Sequence, residues 1–355
     1  MRVISILTEA LRDTASGTSR AVQWCLTLAI CLAALSLADG LQVAAIEHQV
    51  TRFRSAGADI LVTQTEGLVD GRACDRLTEV ASIQFAGAVA KRDYLTMPAA
   101  PDTPIQTYAV TTGLGAVLGI ADTQEPGVWM TTEQAAALGL NVGESIQTES
   151  GDLRLAGVFE WPSDGRDARF RYAALVPTQS QSHPFDECWA RSWPQHDDVK
   201  ALLLSTIDVT SSSEPVQAAQ VNATLGRRLD AVSLLDSRLT AVSVYACMLV
   251  GLAIGAVSSR TRRLEFASSL HVGQTRLGLG LTVAIEALIW TLLAMLIAGD
   301  CLWLVLRLHE SIDFFPTLLI AGRGIICGGV ASFLGAVLGT FFARERHLFR
   351  YFKER

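Results

Sequence analysis

The sequence lacks the short signatures of phosphate, peptide and acyl chemistry. G-x-x-x-x-G-K-[ST] is absent, which excludes a P-loop cradle for nucleotide phosphates. H-E-x-x-H and G-x-S-x-G are absent, which removes the helical zinc-protease arrangement and the nucleophile elbow. C-x-x-C is absent, and no Cys/His spacing suits zinc, so no metal site is expected. Gly113-Leu114-Gly115 with Gly119 is glycine-rich but lacks the dinucleotide-binding spacing, so packing is its expected role. Charge is scarce: 18% of the 355 residues are charged, against 50% hydrophobic. That balance leans away from a purely soluble protein.

The apolar residues come in long runs: 21–38, then 240–257, 277–297 and 317–343. About 20 apolar residues at a rise of about 1.5 Å cross a bilayer core. The expected fold is a membrane protein with four transmembrane α-helices, one plus three. A large α+β extracytoplasmic domain lies between the first and second spans. Net charge is −6, but residues 39–237 carry 26 acidic and 14 basic side chains, leaving the rest of the chain basic. An acidic domain of this kind gives no support for nucleic-acid binding.

Arg2, Arg12 and Arg20 precede the first span. Arg260, Arg262, Arg263 and Arg276 lie between the second and third, and Arg344, Arg346, Arg350, Lys353 and Arg355 follow the fourth. The 300–316 connection carries Asp300, Glu310 and Asp313 against Arg307. The positive-inside rule then places both termini and the 259–276 loop in the cytoplasm. The expected order is a cytoplasmic segment 1–20, a span at 21–38 continuing as a stalk helix to about 54, and the outer domain at 55–220. A stalk helix with the second span follows at 221–258, then a cytoplasmic loop at 259–276 and the third span at 277–299. An outer loop at 300–316, the fourth span at 317–343 and a basic tail at 344–355 complete it. Ser36-Leu37-Ala38 also fits a signal-peptidase site, which would leave three spans. The run is longer than usual for a signal peptide, and its helical pattern continues through Val50, so a retained anchor is expected.

Within the outer domain, strands are expected at 59–63, 84–90, 106–110, 127–130, 172–176 and 201–206, with a hairpin at 145–148 and 153–159. Helices are expected at 75–83 and 131–138, and 111–120 reads as a short helix. Leu229, Val232, Leu235 and Leu239 repeat at helical spacing, which predicts one helix over 221–259. Only Cys74 and Cys188 fall in the exported domain. Two cysteines in an oxidising space point to a disulfide, the alternative being two buried thiols.

A few polar residues stand out. His183, His196, Asp197 and Asp198 lie close together, but a solvated loop explains them better than a metal. Asn222-Ala223-Thr224 fits a glycosylation sequon by chance. Glu286 and Arg323 fall inside predicted spans, where charge is costly. Glu286 reads either as a functional contact or as a bundle-facing hydrogen bond, and Arg323 as a side chain reaching for the interface. Gly324 to Gly328 and Gly335 to Gly339 form G-x-x-x-G motifs, which suit packing within the chain or a dimer.

The loop after the second span reads RTRRLEFASSLHVGQTR over residues 260–276. Phe266 and Leu270, with Val272, share one face of a short amphipathic helix that can dock on a soluble partner or rest on lipid. Arg263, Glu265, Phe266, Ala267, Gly273, Thr275 and Arg276 fall on a pattern that resembles the FtsX-like/MacB-type (type VII) ABC transporter permease family. The one-plus-three order, the outer domain and the TTEQAAALGLNVGESI run resemble that family too. Ser268, Ser269 and His271 depart from it. The resemblance implies a non-enzymatic permease subunit in a bacterial cytoplasmic membrane. It implies a separate ATPase subunit that binds the ATP, a second permease copy or related subunit, and no cofactor on this chain. It makes Arg263, Glu265, Phe266, Leu270, Gly273 and Arg276 the expected ATPase contact. Export or extraction of a lipoprotein, lipid, peptide or antibiotic by mechanical transmission would follow. Two alternatives are a non-transporting regulator of an extracytoplasmic enzyme such as a cell-wall hydrolase, and an anchored enzyme or sensor.

Overall fold

The structure is a computed structural model that describes residues 8, 12, 20–98, 100–120, 126–149, 151–181, 184–208, 216–308 and 313–342. The basic tail after residue 342, His183 and Glu310 lie outside the described residues. So does the segment 1–20, apart from Thr8, Arg12 and Arg20. The chain divides into two compact units, residues 50–231 and residues 1–49 with 232–355.

Among the described residues, four helices are long and apolar enough to cross a membrane. The first, α1 (Ala21–Ser55), runs 35 residues without a break, past the predicted end of its span. It stops at Gly57, whose φ of +69° is a conformation that side chains with a Cβ rarely adopt.

The polar unit, residues 50–231, is built on a nine-stranded mixed sheet in the order β5-β6-β4-β7-β3-β2-β8-β1-β9. In chain order its elements begin with β1 (Ile60–Val69), α2 (Gly71–Arg76), β2 (Phe85–Met97) and β3 (Ala100–Thr111). Next come α3 (Thr112–Leu118), β4 (Val128–Thr131), α4 (Thr132–Ala137), β5 (Ser145–Thr148) and β6 (Gly151–Phe159). The last are β7 (Ala173–Thr178), β8 (Phe185–Arg191), α5 (Val199–Leu204) and β9 (Ala218–Gln220). Strand pairs β3–β7 and β4–β6 are parallel, and the other long pairings are antiparallel. Aromatic rings fill the core on one side of the sheet. Tyr108, Trp161, Phe170 and Trp189 meet edge-on or tilted at centroid distances of 4.9–6.2 Å. Such pairs add to what their buried area contributes. Helix α3 lies so close to β2 that a Cβ at Gly113 would overlap the Ala86 carbonyl.

Two expectations for this unit change. Residues 201–206 are not a strand: α5 buries Val199 and Leu203, four apart, on one helical face. A short apolar run does not separate the two states by pattern alone. Strand β8 is central, hydrogen-bonded to both β1 and β2, yet went unpredicted because Asp186, Glu187 and Arg191 interrupt its apolar pattern.

In the other unit, α6 (Ala231–Asp236) precedes α7 (Ser243–Thr261), α8 (Arg263–His271), α9 (Arg276–Arg307) and α10 (Phe314–Thr340). A single helix over 221–259 does not form. Asn222 accepts a hydrogen bond from the Thr224 amide at 3.0 Å, and Gly226 takes a φ of +96°. Both features compete with helix. Arg238 is extended and its guanidinium reaches the buried Asp39 carboxylate at 3.0 Å. Val232 and Leu239, which repeat at helical spacing in the sequence, are 63% and 88% exposed. The glycines of α7 and α10 interlock within the chain. A Cβ at Gly251 would overlap the Gly328 carbonyl, one at Gly255 the Ser332 carbonyl, and one at Gly335 the Leu252 carbonyl. Close backbone approach of this kind is how helices associate where burial from water contributes nothing. The outward faces remain apolar, with Ile30, Leu249, Leu296 and Leu319 each more than 60% exposed. Helices that are apolar all round and exposed in this way suit a lipid surrounding.

Candidate functional site

The charged end of the helical unit gathers most of the residues singled out by sequence. Helix α7 ends at Thr261, and Arg262 leaves helical geometry before α8 begins. At α8's far end Gly273, with a φ of +99°, reverses the chain. Thr275 then caps α9 by accepting a hydrogen bond from the Gly278 amide at 3.2 Å.

Helix α8 presents two faces. Its inner face carries Phe266 and Leu270, 2% and 6% exposed, which pack on Leu279 and Val283 of α9. The expected partner-contact residues Phe266 and Leu270 are thus inside the chain. Their i, i+4 spacing announces an apolar face but does not say which surface covers it. Solvent meets Ser268, His271, Val272, Gly273, Thr275, Arg276 and Leu277 instead, with Val272 at 86% and Leu277 at 85%. Arg263 is half-buried at the start of α8.

Arg262 ties the two helices together. Its Nε and Nη2 donate to the two Glu265 oxygens at 2.9 and 2.7 Å, and its Nη1 donates to Glu286. Its guanidinium lies 5.3 Å from the Phe266 ring centroid. Burial opposes the charge on Arg262, but hydrogen bonding to Glu265 and the Glu286 charge outweigh it and push the pKa up. Glu286 stands ten residues into α9, nearer its middle than its start, and is 2% exposed. The sequence singled out Glu286 and missed its partner, because Arg262 is one of four arginines in the loop and no pattern distinguishes it. Arg323 is exposed on α10.

Elsewhere, Cys74 on α2 and Cys188 on β8 are joined by a disulfide with their Cα atoms 5.8 Å apart. Asp70 sets the start of α2, its carboxylate accepting from the Arg72 and Ala73 amides. Asp197 pairs with Arg228 at 3.0 Å, and Asp198 accepts from Ser82 at 3.1 Å. Asn222 is fully buried, its amide donating to the Ala56 and Asp164 carbonyls. It serves as a strut, and its sequon is not accessible in the fold.

No family model matches the sequence, and no curated protein matches it. Among solved structures, the chain is similar to the periplasmic region of MacB from Actinobacillus actinomycetemcomitans. Identity is 11%, over 49% of this chain and 94% of that one, with a TM-score of 0.36. It is also similar to the extracellular domain of the noncanonic ABC-type transporter YknZ from Gram-positive bacteria. There identity is 13%, over 45% of this chain and 98% of that one, with a TM-score of 0.33.

Proposed function

We propose that the chain is a permease subunit of an ABC transporter of the FtsX-like/MacB type. It sits in a bacterial cytoplasmic membrane with both termini inside. A separate ATPase subunit binds and hydrolyses the ATP, and a second permease copy or related subunit completes the assembly. The observation that carries this reading is the attachment of α8 to α9 by Phe266, Leu270 and the Arg262 fork. A force applied to so short a helix reaches a membrane-length helix through packed side chains and a buried ion pair. The span order and the loop motif add support.

On this reading the ATPase touches the exposed turn from His271 to Leu277, and Phe266 and Leu270 transmit the motion. The polar domain is extracytoplasmic and moves a lipoprotein, lipid, peptide or antibiotic, with no need for passage through the bilayer. Detergent pull-down of the tagged full-length chain tests it. A stoichiometric P-loop ATPase is expected, lost on Val272→Asp, a change at an 86% exposed side chain that leaves the fold intact. If no ATPase accompanies the wild-type chain, the permease reading fails.

A further inference from the structure

The polar domain contains a cavity of about 820 Å³ whose walls combine arginines with apolar side chains. Arg52 and Arg54 come from the last turn of α1, Arg166 from the loop after β6, and Arg191 from the end of β8. Ile60, Val117 and Leu118 supply apolar surface.

The acids nearby leave these cations incompletely matched. Asp164 is taken by Arg166, which donates to both carboxylate oxygens at 3.0 and 2.7 Å. Glu160 accepts from Thr132. Asp59 is 1% exposed and lies 3.7 Å from Arg54 Nε and 3.5 Å from Arg191 Nε, too far for hydrogen bonds. Among the described residues, neither Nε meets an acceptor, and neither Asp59 oxygen a donor, in good hydrogen-bond geometry. One buried carboxylate is therefore shared loosely by two guanidiniums, with Arg52 and Arg166 beside them. Burial, and then the Arg54 and Arg166 charges, push the Arg191 pKa down against the pull of Asp59. Crowded cations around an imperfectly bonded acid favour an entering oxyanion, which planar guanidinium forks recognise well.

We propose that this cleft binds a phosphate-bearing ligand, its oxyanion on Arg52, Arg54 and Arg191 and any apolar portion on Val117 and Leu118. The same headgroup chemistry has two sources, free phosphate and an anionic lipid, and the test separates them. The full-length chain in uncharged detergent is titrated with inorganic phosphate and with dihexanoyl phosphatidylglycerol. Tryptophan emission is the readout, because the Arg54 guanidinium lies 5.8 Å from the Trp193 ring centroid and that of Arg166 4.7 Å from Trp161. A saturable change is expected, weakened by added salt. Affinity should fall about tenfold in Arg54→Gln and about threefold in Arg52→Gln, the loss of one charge-assisted contact each. Arg52 is exposed, so its variant keeps the wild-type melting temperature and reports on binding alone. Saturation by phosphate alone assigns a free oxyanion, and saturation by the lipid only assigns an amphiphile. No saturable signal with either probe, or equal affinity in Arg52→Gln and wild type, overturns the proposal.

Discussion

Arg169–Glu187 in the polar domain and Arg262–Glu286 in the helical unit are the same pair of side chains put to different uses. Arg169 gives both terminal nitrogens to Glu187, and Trp189 Nε1 adds a third donor at 2.7 Å. Phe170 and Trp189 wall the guanidinium at 4.8 and 5.9 Å. Burial opposes the Arg169 charge, but Glu187 outweighs it and pushes the pKa up. Every one of those partners sits in β8 or the short turn ahead of β7, so the pair pins a scaffold. Arg262 divides its fork between Glu265 on α8 and Glu286 on α9. A cation shared between two elements can shift toward either, so its position reports how the elements sit. Burial makes both pairs costly to break, and the shared one joins α8 to α9.

The two units also differ in what holds them, and substitutions sort them. The largest effect is expected for Gly328→Leu, whose Cβ would meet Leu32 of α1 and then the Cys247 backbone of α7. Overpacking against two neighbouring helices at once should leave little folded chain on size-exclusion chromatography in detergent. Cys188→Ser removes a bridge spanning 114 residues, which should cost the polar domain about 4 kcal/mol and lower its urea midpoint without affecting the helices. Glu187→Gln strips the Arg169 charge of its partner and should cost about 3 kcal/mol, read by the same urea titration, with no effect on ATPase capture.

The smallest effect concerns acid. Burial raises the Asp164 carboxyl, but hydrogen bonds from Arg166 and its charge outweigh burial and hold the pKa below the usual range. The folded state therefore takes up a proton less readily than the unfolded one. That stabilisation is complete above the unfolded value of about 4 and is lost as pH falls through the folded value. Between about pH 5 and pH 2 the wild-type melting temperature should drop more steeply than that of Asp164→Asn.

The four long helices were legible because lipid-facing and core-facing positions are both apolar, so their apolar runs are long and carry few charges. Most strands of the polar domain were legible from alternation and turn residues. Strand β8 was hidden because Glu187 is buried by a partner, Arg169, that lies 18 residues away. The break after residue 220 was hidden because it depends on Asp39 holding Arg238 across 199 residues of sequence. At the candidate site, the loop residues were legible but their direction was not. The spacing of Phe266 and Leu270 fits a surface of this chain as well as it fits another protein.

On the proposed permease reading, the Arg262–Glu286 link carries motion between α8 and α9. The most direct test is ATP hydrolysis by the purified assembly in nanodiscs, with Glu286→Gln compared against wild type. Glu286→Gln leaves the exposed turn unchanged, so the ATPase should remain bound at wild-type stoichiometry while the hydrolysis rate shifts several-fold. An unchanged rate with the partner still bound would show that the pair is structural only and carries no motion.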